Sequence, residues 1–443
     1  MEHYIFYCKL SLLAVLSLIT ACCMLSRRWY VNLAAFLACL SGETFLAHLF
    51  FPGYMLCPAA ASFIILFLSR IWDLSRTPAK GNGADPIRLP VRSGIRESRL
   101  EFHYHYSNFL VYGGAGSGKT KSIGKWLLSE YMRLGFAGFI YDFKDTDYTR
   151  TAYNLIKRHR YPHKFYYVSF DRPERSYRFN PLKVVRDRTE LIQLMEDVLL
   201  ALLPKKEQQN EWVAGGLGIL RGVAFRFWDE FPEHCTLPHI LAFIMTASAR
   251  QLSLFLQQNL VSEMLAGAYL KAEGSEKTQA SYLSTLCNNL ATISQNEEIA
   301  YVLSGDDFDF NLIDPETPKL FAVSNNFSKN SVYAPVISML MTISARQFSM
   351  QNRVPFVYFL DEMTTVNIKN FETLPSVLRE YKAAFILLTQ SGAKLENLYG
   401  KLDRSSVEAN FGNMFLGRTK DVEALKYYPL FFGKEEKERR SRS

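Results

Sequence analysis

Asn108-Phe-Leu-Val-Tyr112 runs directly into Gly113-Gly-Ala-Gly-Ser-Gly-Lys119-Thr120. The first part is a short apolar run of strand type, and the second satisfies the phosphate-binding pattern G-x-x-x-x-G-K-[ST] in full. That spacing has a physical reason: glycines let the backbone close around phosphates with successive N–H groups turned inward. Gly113, Gly114, Ala115, Gly116, Ser117, Gly118, Lys119 and Thr120 are therefore the candidate residues for binding ATP. Lys119 supplies the cation for the β- and γ-phosphates, and the Thr120 hydroxyl is a candidate ligand of Mg2+. Ile123, Trp126, Leu127, Tyr131 and Leu134 recur at helical spacing. A helix is expected over 121–134, closed by Gly135, with its positive N-terminal end turned to the anion.

A P-loop needs a carboxylate on a neighbouring strand. Phe356-Val-Tyr-Phe-Leu360 is a buried-strand run ending in Asp361-Glu362. Asp361 is expected to hold Mg2+ through water, and Glu362 to activate the attacking water as general base. The next apolar run, 383–389, ends at Gln390, which can reach the γ-phosphate or the lytic water; capping of the loop is the competing reading. Arg379 precedes that run and is a candidate arginine finger acting across a subunit boundary, with Arg404 and Arg418 as rivals. The candidate catalytic set is thus Lys119, Glu362, Gln390 and Arg379, and the candidate metal ligands are Thr120 and Asp361.

Further strands are expected over 139–142, 165–170, 320–324 and 414–417. Strands alternating with helices around a P-loop imply an α/β fold, a RecA-like P-loop NTPase domain whose parallel sheet carries helices on both faces. Lys119 and Asp361 are 242 residues apart, more than a compact nucleotide-binding core needs. The excess reads as an all-α inserted domain. Leu191, Leu194, Met195, Val198 and Leu199 form one helical stripe; Leu217, Leu220, Val223, Ala224 and Phe227 form another. Residues 187–306 hold 8 Lys/Arg against 15 Asp/Glu within a chain of net charge +8. An acidic insertion suits protein docking better than direct DNA contact.

The N-terminal region is different in kind. Apolar stretches at about 5–26, 29–51 and 54–72 are each near the length of a membrane span, separated by Arg27-Arg28 and by Pro52-Gly53. Three crossings put Arg27-Arg28 and Arg70, Arg76 and Lys80 on one side, the cytoplasmic one by the positive-inside rule. Two crossings with one interfacial segment are the alternative, Glu43 marking the middle segment as the weakest span. The seven cysteines form neither a C-x-x-C pair nor a cluster at zinc spacing, so the pattern suggests neither a zinc site nor a disulfide framework. The expected organisation is a transmembrane helical anchor over 1–75, a linker over 76–100, the nucleotide-binding domain over 101–186 and 307–433, the all-α insertion over 187–306 and a charged tail over 434–443.

With these motifs in this order, the chain resembles the type IV secretion system coupling proteins, the TraG/TraD-like DNA pumps of bacterial conjugation. Tyr141-Asp-Phe-Lys144 resembles the family's Asp-x-Lys after its second strand, and Phe179-Asn-Pro-Leu182 the entry to its all-α domain. Thr389-Gln-Ser391 matches its Gln-Ser loop, and Asn410 to Leu425 its closing strand and helix. The resemblance implies a membrane-anchored, ATP-driven DNA translocase: a homo-hexameric ring passing single-stranded DNA, with relaxase and relaxosome proteins as cargo and type IV secretion channel components as partners. It also implies a multi-pass protein of the bacterial inner membrane with the ATPase domain in the cytoplasm. Basic clusters at 157–160 and at Arg172, Arg175 and Arg178 are candidates for strand contact. A duplex translocase of the FtsK/HerA kind, a protein-effector secretion ATPase and a non-catalytic scaffold are the alternative readings.

Overall fold

A computed structural model describes residues 85–429 apart from 94–95, 145 and 204–206. The expected membrane spans and the charged tail lie outside the described residues. Among those described, no helix is long and apolar enough to cross a membrane. The stretch expected as linker is partly ordered: β1 (Ile87–Ser93) and β2 (Arg96–Phe102) pair as an antiparallel hairpin. Ile87 and Leu89 are buried, and the Arg88 backbone N–H donates to Glu130 at 2.8 Å.

Each of the seven expected strands forms, with boundaries shifted by a residue or two. They are β3 (Phe109–Tyr112), β4 (Ala137–Asp142), β5 (Lys164–Ser169), β6 (Lys319–Ser324), β7 (Phe356–Asp361), β8 (Ala383–Thr389) and β9 (Asn413–Leu416). They make one seven-stranded sheet in the order β5-β6-β4-β7-β8-β3-β9, every pair parallel. Such a sheet is covered on both faces, so its five inner strands are buried at every position rather than at alternate ones, while the edge strands β5 and β9 are only partly covered.

The two faces have separate cores. Phe109, Val111, Ile140, Val357, Phe359, Ile386 and Leu388 turn one way, onto α1 (Lys125–Arg133) and α2 (Asp147–His159). Leu110, Tyr112, Phe139, Phe321, Tyr358, Leu360, Phe385 and Leu387 turn the other way, into a core continuous with the helices between β5 and β6. That helical region runs from α3 (Arg188–Ala201) through α4 (Glu211–Glu230) to the seven-residue helix at Glu297–Leu303. Four glycines of α4 face its neighbours; a Cβ at Gly218 would stand 2.8 Å from the Leu265 carbonyl oxygen, so close packing requires the missing side chain. Asp197 of α3 is buried and ties this region to the segments on either side of β7, held by Arg346 at 2.6 Å and Lys369 at 2.9 Å.

Candidate nucleotide site at the carboxyl edge of the sheet

Because all seven strands run the same way, the loops that leave their carboxyl ends gather along one edge. The P-loop leaves β3 there. Gly116 and Gly118 have φ of +70° and +87°, the left-handed region that an L side chain resists. The chain then enters a widely wound turn, Lys119–Gly124, in which the Lys125 N–H reaches back to the Thr120 carbonyl, before α1 proper begins. The expected helix thus starts two residues earlier and in a wider form. At its far end Gly135 donates to Met132 and Phe136 to Tyr131, the paired bonds of a glycine-closed helix end.

The edge brings together residues far apart in sequence. Lys119 is buried, donates to the Gly113 carbonyl, and its Nζ lies 3.5 Å from Glu362 Oε1. Gln390 Nε2 donates to the same carboxylate oxygen at 3.4 Å. Lys144 Nζ stands 3.9 Å from it. The strand order corrects one expectation: β8 lies between β3 and β7, so Asp361 and Glu362 are one strand removed from the P-loop strand rather than on its neighbour. Gln390, leaving β8, therefore sits between the loop and the two acids. Thr120 is half-buried at the start of the wide turn.

Three carboxylate oxygens of this cluster, both of Asp361 and Oε2 of Glu362, are buried without a hydrogen-bond partner, as is Ser117 Oγ of the loop. Buried polar atoms normally find partners. A hydrated cation beside Thr120 and Asp361, and a phosphate within the loop, have the chemistry these atoms lack, so the residues present fit a magnesium nucleotide. Burial lowers the Lys119 pKa and pushes the Asp361 carboxyl up to about 7, with Lys144 opposing and Glu362 reinforcing the latter shift. Glu362 itself has φ 47° and ψ 48°, a left-handed backbone that costs a non-glycine residue roughly 1–2 kcal/mol.

The raised Asp361 pKa carries a prediction. An acid whose folded pKa exceeds its unfolded value, here 3.8, contributes stability in acid that is lost as pH rises through the folded value. Thermal unfolding of the metal-free chain between about pH 5 and about pH 8 is expected to show Tm falling with pH, and Asp361→Asn to flatten that fall. Mg2+ with nucleotide is expected to raise Tm most at the alkaline end, where the carboxylate is ionised and available. Parallel Tm curves for the two proteins would place the titration elsewhere.

The arginines divide. Arg379, in the helix Leu374–Glu380 that leads into β8, is exposed at the opposite, amino edge of the sheet and does not converge with the loop in one chain. Arg404 is tied to Glu396 at 2.9 Å and Glu408 at 3.0 Å. Arg418 is exposed beside the loop, its carbonyl accepting the Gly114 N–H at 3.0 Å. Among the basic clusters, Arg178 is committed to packing, lying over the Tyr301 ring at 4.3 Å and donating to its carbonyl, while Arg175 is exposed. Lys144 was visible in the sequence only as part of a family pattern; its place beside Glu362 follows from β4 neighbouring β7.

The parallel sheet, the glycine loop at its carboxyl edge and the buried acid pair beyond it define an α/β protein of P-loop class. The family described as type IV secretion-system coupling protein DNA-binding domain matches residues 100–443, and the chain belongs to that family. Solved structures are similar in fold. The bacterial conjugative coupling protein TrwBdeltaN70, in its trigonal form with sulphate, is 17% identical over 71% of this chain and 70% of that one, with a TM-score of 0.55. Plasmid coupling protein TrwB in complex with ADP and Mg2+ is 16% identical over 75% of this chain and 79% of that one, at 0.56. The same protein with the non-hydrolysable ATP analogue ADPNP is 17% identical over 69% of each chain, at 0.54. No curated protein sequence matches the chain.

Proposed function

We propose that this chain is an ATP-hydrolysing motor that moves single-stranded DNA from a relaxosome toward a type IV secretion channel. The observation that carries the reading is the meeting of Lys119, Asp361, Glu362 and Gln390 at one sheet edge in a member of the coupling-protein family. Backbone N–H groups of Gly113 to Thr120 hold the phosphates, and Lys119 neutralises the β- and γ-phosphates. Thr120 and, through water, Asp361 hold Mg2+, which when bound offsets charge building on the phosphates. Glu362 takes the proton of the attacking water, and Gln390 orients that water. Since Arg379 lies at the other edge of its own sheet, it serves a neighbouring subunit of a ring or not at all. The anchor over 1–75 fixes the motor to the inner membrane, and the acidic helical segment over 187–306 is the docking surface for cargo proteins.

The test is ATP turnover of the detergent-solubilised full chain with and without single-stranded DNA. Turnover is expected to rise several-fold with DNA, and the DNA-dependent part to fall steeply with salt, because phosphate contacts release counterions. Turnover indifferent to DNA and salt would defeat the translocase reading while leaving the ATPase intact. A duplex that stimulates better than the single strand would favour the FtsK-like alternative.

A further inference from the structure

Behind Glu362 lies a line of side chains, Tyr141 and Asn325 buried and Thr365 half-buried, that the hydrolytic site does not use directly. Thr365 donates twice to the Glu362 carbonyl, from its backbone N–H at 2.9 Å and from its hydroxyl at 2.7 Å. The Thr365 oxygen is also 2.6 Å from the Tyr141 hydroxyl at the end of β4. Asn325, just past β6, donates its side-chain amide to Tyr141 at 2.8 Å. These contacts join positions 224 and 184 residues apart in sequence.

The donor inventory fixes the direction of the line. Thr365 has one hydroxyl proton, and Glu362 receives it, so Tyr141 must donate to Thr365 and accept from Asn325. Burial raises the Tyr141 pKa, which keeps that proton in place. The Asn325 amide cannot turn over. Its oxygen accepts the Asn326 N–H at 2.8 Å, and its nitrogen also donates to Asn330 at 2.7 Å. Each hydrogen bond therefore polarises the next, from Asn325 to the Glu362 carbonyl. That carbonyl belongs to the one acid of the site whose backbone is left-handed, a conformation that persists only when its surroundings hold it.

We infer that Tyr141 and Asn325 are positioning residues for Glu362, acting through Thr365 to hold its carboxylate at the water-attacking position. The inference rests on the ATPase reading above. Tyr141 closes the line from the middle, and Asn325 anchors it to the loop between β6 and the helix Asn330–Arg346. Among the described residues none of the three hydrogen-bonds the P-loop, so nucleotide affinity is expected to be independent of them and the chemical step is not.

The experiment uses the full chain and compares Tyr141→Phe, Thr365→Val and Thr365→Ser with the wild type. Steady-state ATP hydrolysis, equilibrium binding of a fluorescent ATP analogue and Tm are measured on each. Tyr141→Phe and Thr365→Val are expected to lower kcat about tenfold or more, since misplacing a reacting group is costly. KM and analogue affinity are expected to stay within about twofold, and Thr365→Ser to keep wild-type kcat. If Tyr141→Phe turns over at the wild-type rate, or if kcat and affinity fall together with no rescue by Thr365→Ser, the inference is wrong. Should Tyr141→Phe not fold, equal kcat for Thr365→Val and Thr365→Ser overturns it alone. A wild-type chain that hydrolyses nothing defeats the ATPase reading instead, and this inference with it.

Discussion

Glu362→Gln is expected to bind ATP and fail to cleave it, with kcat lowered roughly 100- to 10,000-fold, the usual worth of a general base. The substitution is nearly isosteric, so the reasons are electronic. Glu362 is 2% exposed, with Oε1 already near Lys119, Lys144 and Gln390. Oε2 is the oxygen without a partner, and it is the one free to accept a proton from water. An amide in its place offers either a carbonyl of negligible basicity or an N–H that repels the proton being removed. Affinity should not suffer. Removing one negative charge from beside Lys119 reduces repulsion toward an incoming triphosphate, so binding stays level or tightens. Single-turnover cleavage of labelled ATP alongside equilibrium binding reads the two effects separately. Cleavage at the wild-type rate would move the base to another residue, Asp361 being the nearest carboxylate in sequence.

The parts of this site that were legible in sequence are those whose chemistry is local. The P-loop is one contiguous segment, and Asp361-Glu362 ends an apolar run that a doubly covered parallel strand requires. The five inner strands could be read for the same reason, and the edge strands β5 and β9 from their shorter apolar stretches. Strand order could not, because parallel pairing joins segments whose relation no local pattern encodes. That is why Asp361 was expected on the strand beside β3 when β8 intervenes, and why the place of Arg379 at the amino edge of its own sheet could not be read beforehand. Lys144, Tyr141, Asn325 and Thr365 were obscure on the same ground: each is an ordinary polar residue near a strand end until β4, β6 and β7 are laid side by side. The hairpin over 87–102 was hidden by Pro86, Pro90 and Gly94, which read as linker punctuation although the pairing tolerates Pro90 opposite Arg99.

Lys119→Ala is expected to fail one step earlier, losing nucleotide affinity by about 100-fold or more and hydrolysis with it. The ammonium is the only buried cation among the described residues of the site; Lys144, the other one near Glu362, has a side chain 46% exposed. Truncation removes the partner of the incoming phosphates, and it also leaves Asp361 and Glu362 buried beside each other with a distant, solvent-screened counter-charge. Breaking a buried ion pair by removing one member typically costs about 3–5 kcal/mol. At 3.5 Å this pair is loose, and the lower end of that range applies. Lys119→Ala should therefore unfold at a lower temperature than wild type without nucleotide. The double variant Lys119→Ala with Glu362→Gln should recover part of that loss, because the stranded charge is gone, yet bind no better. Lys119→Arg is not a conservative replacement: a planar guanidinium must occupy a site sized for an ammonium against the Gly113 carbonyl. Measured Tm and binding of a fluorescent ATP analogue across the four proteins decide the matter. If Lys119→Ala keeps wild-type affinity, the loop does not grip phosphate through this residue; if the double variant is no more stable than the single one, charge stranding is not what the lysine prevents.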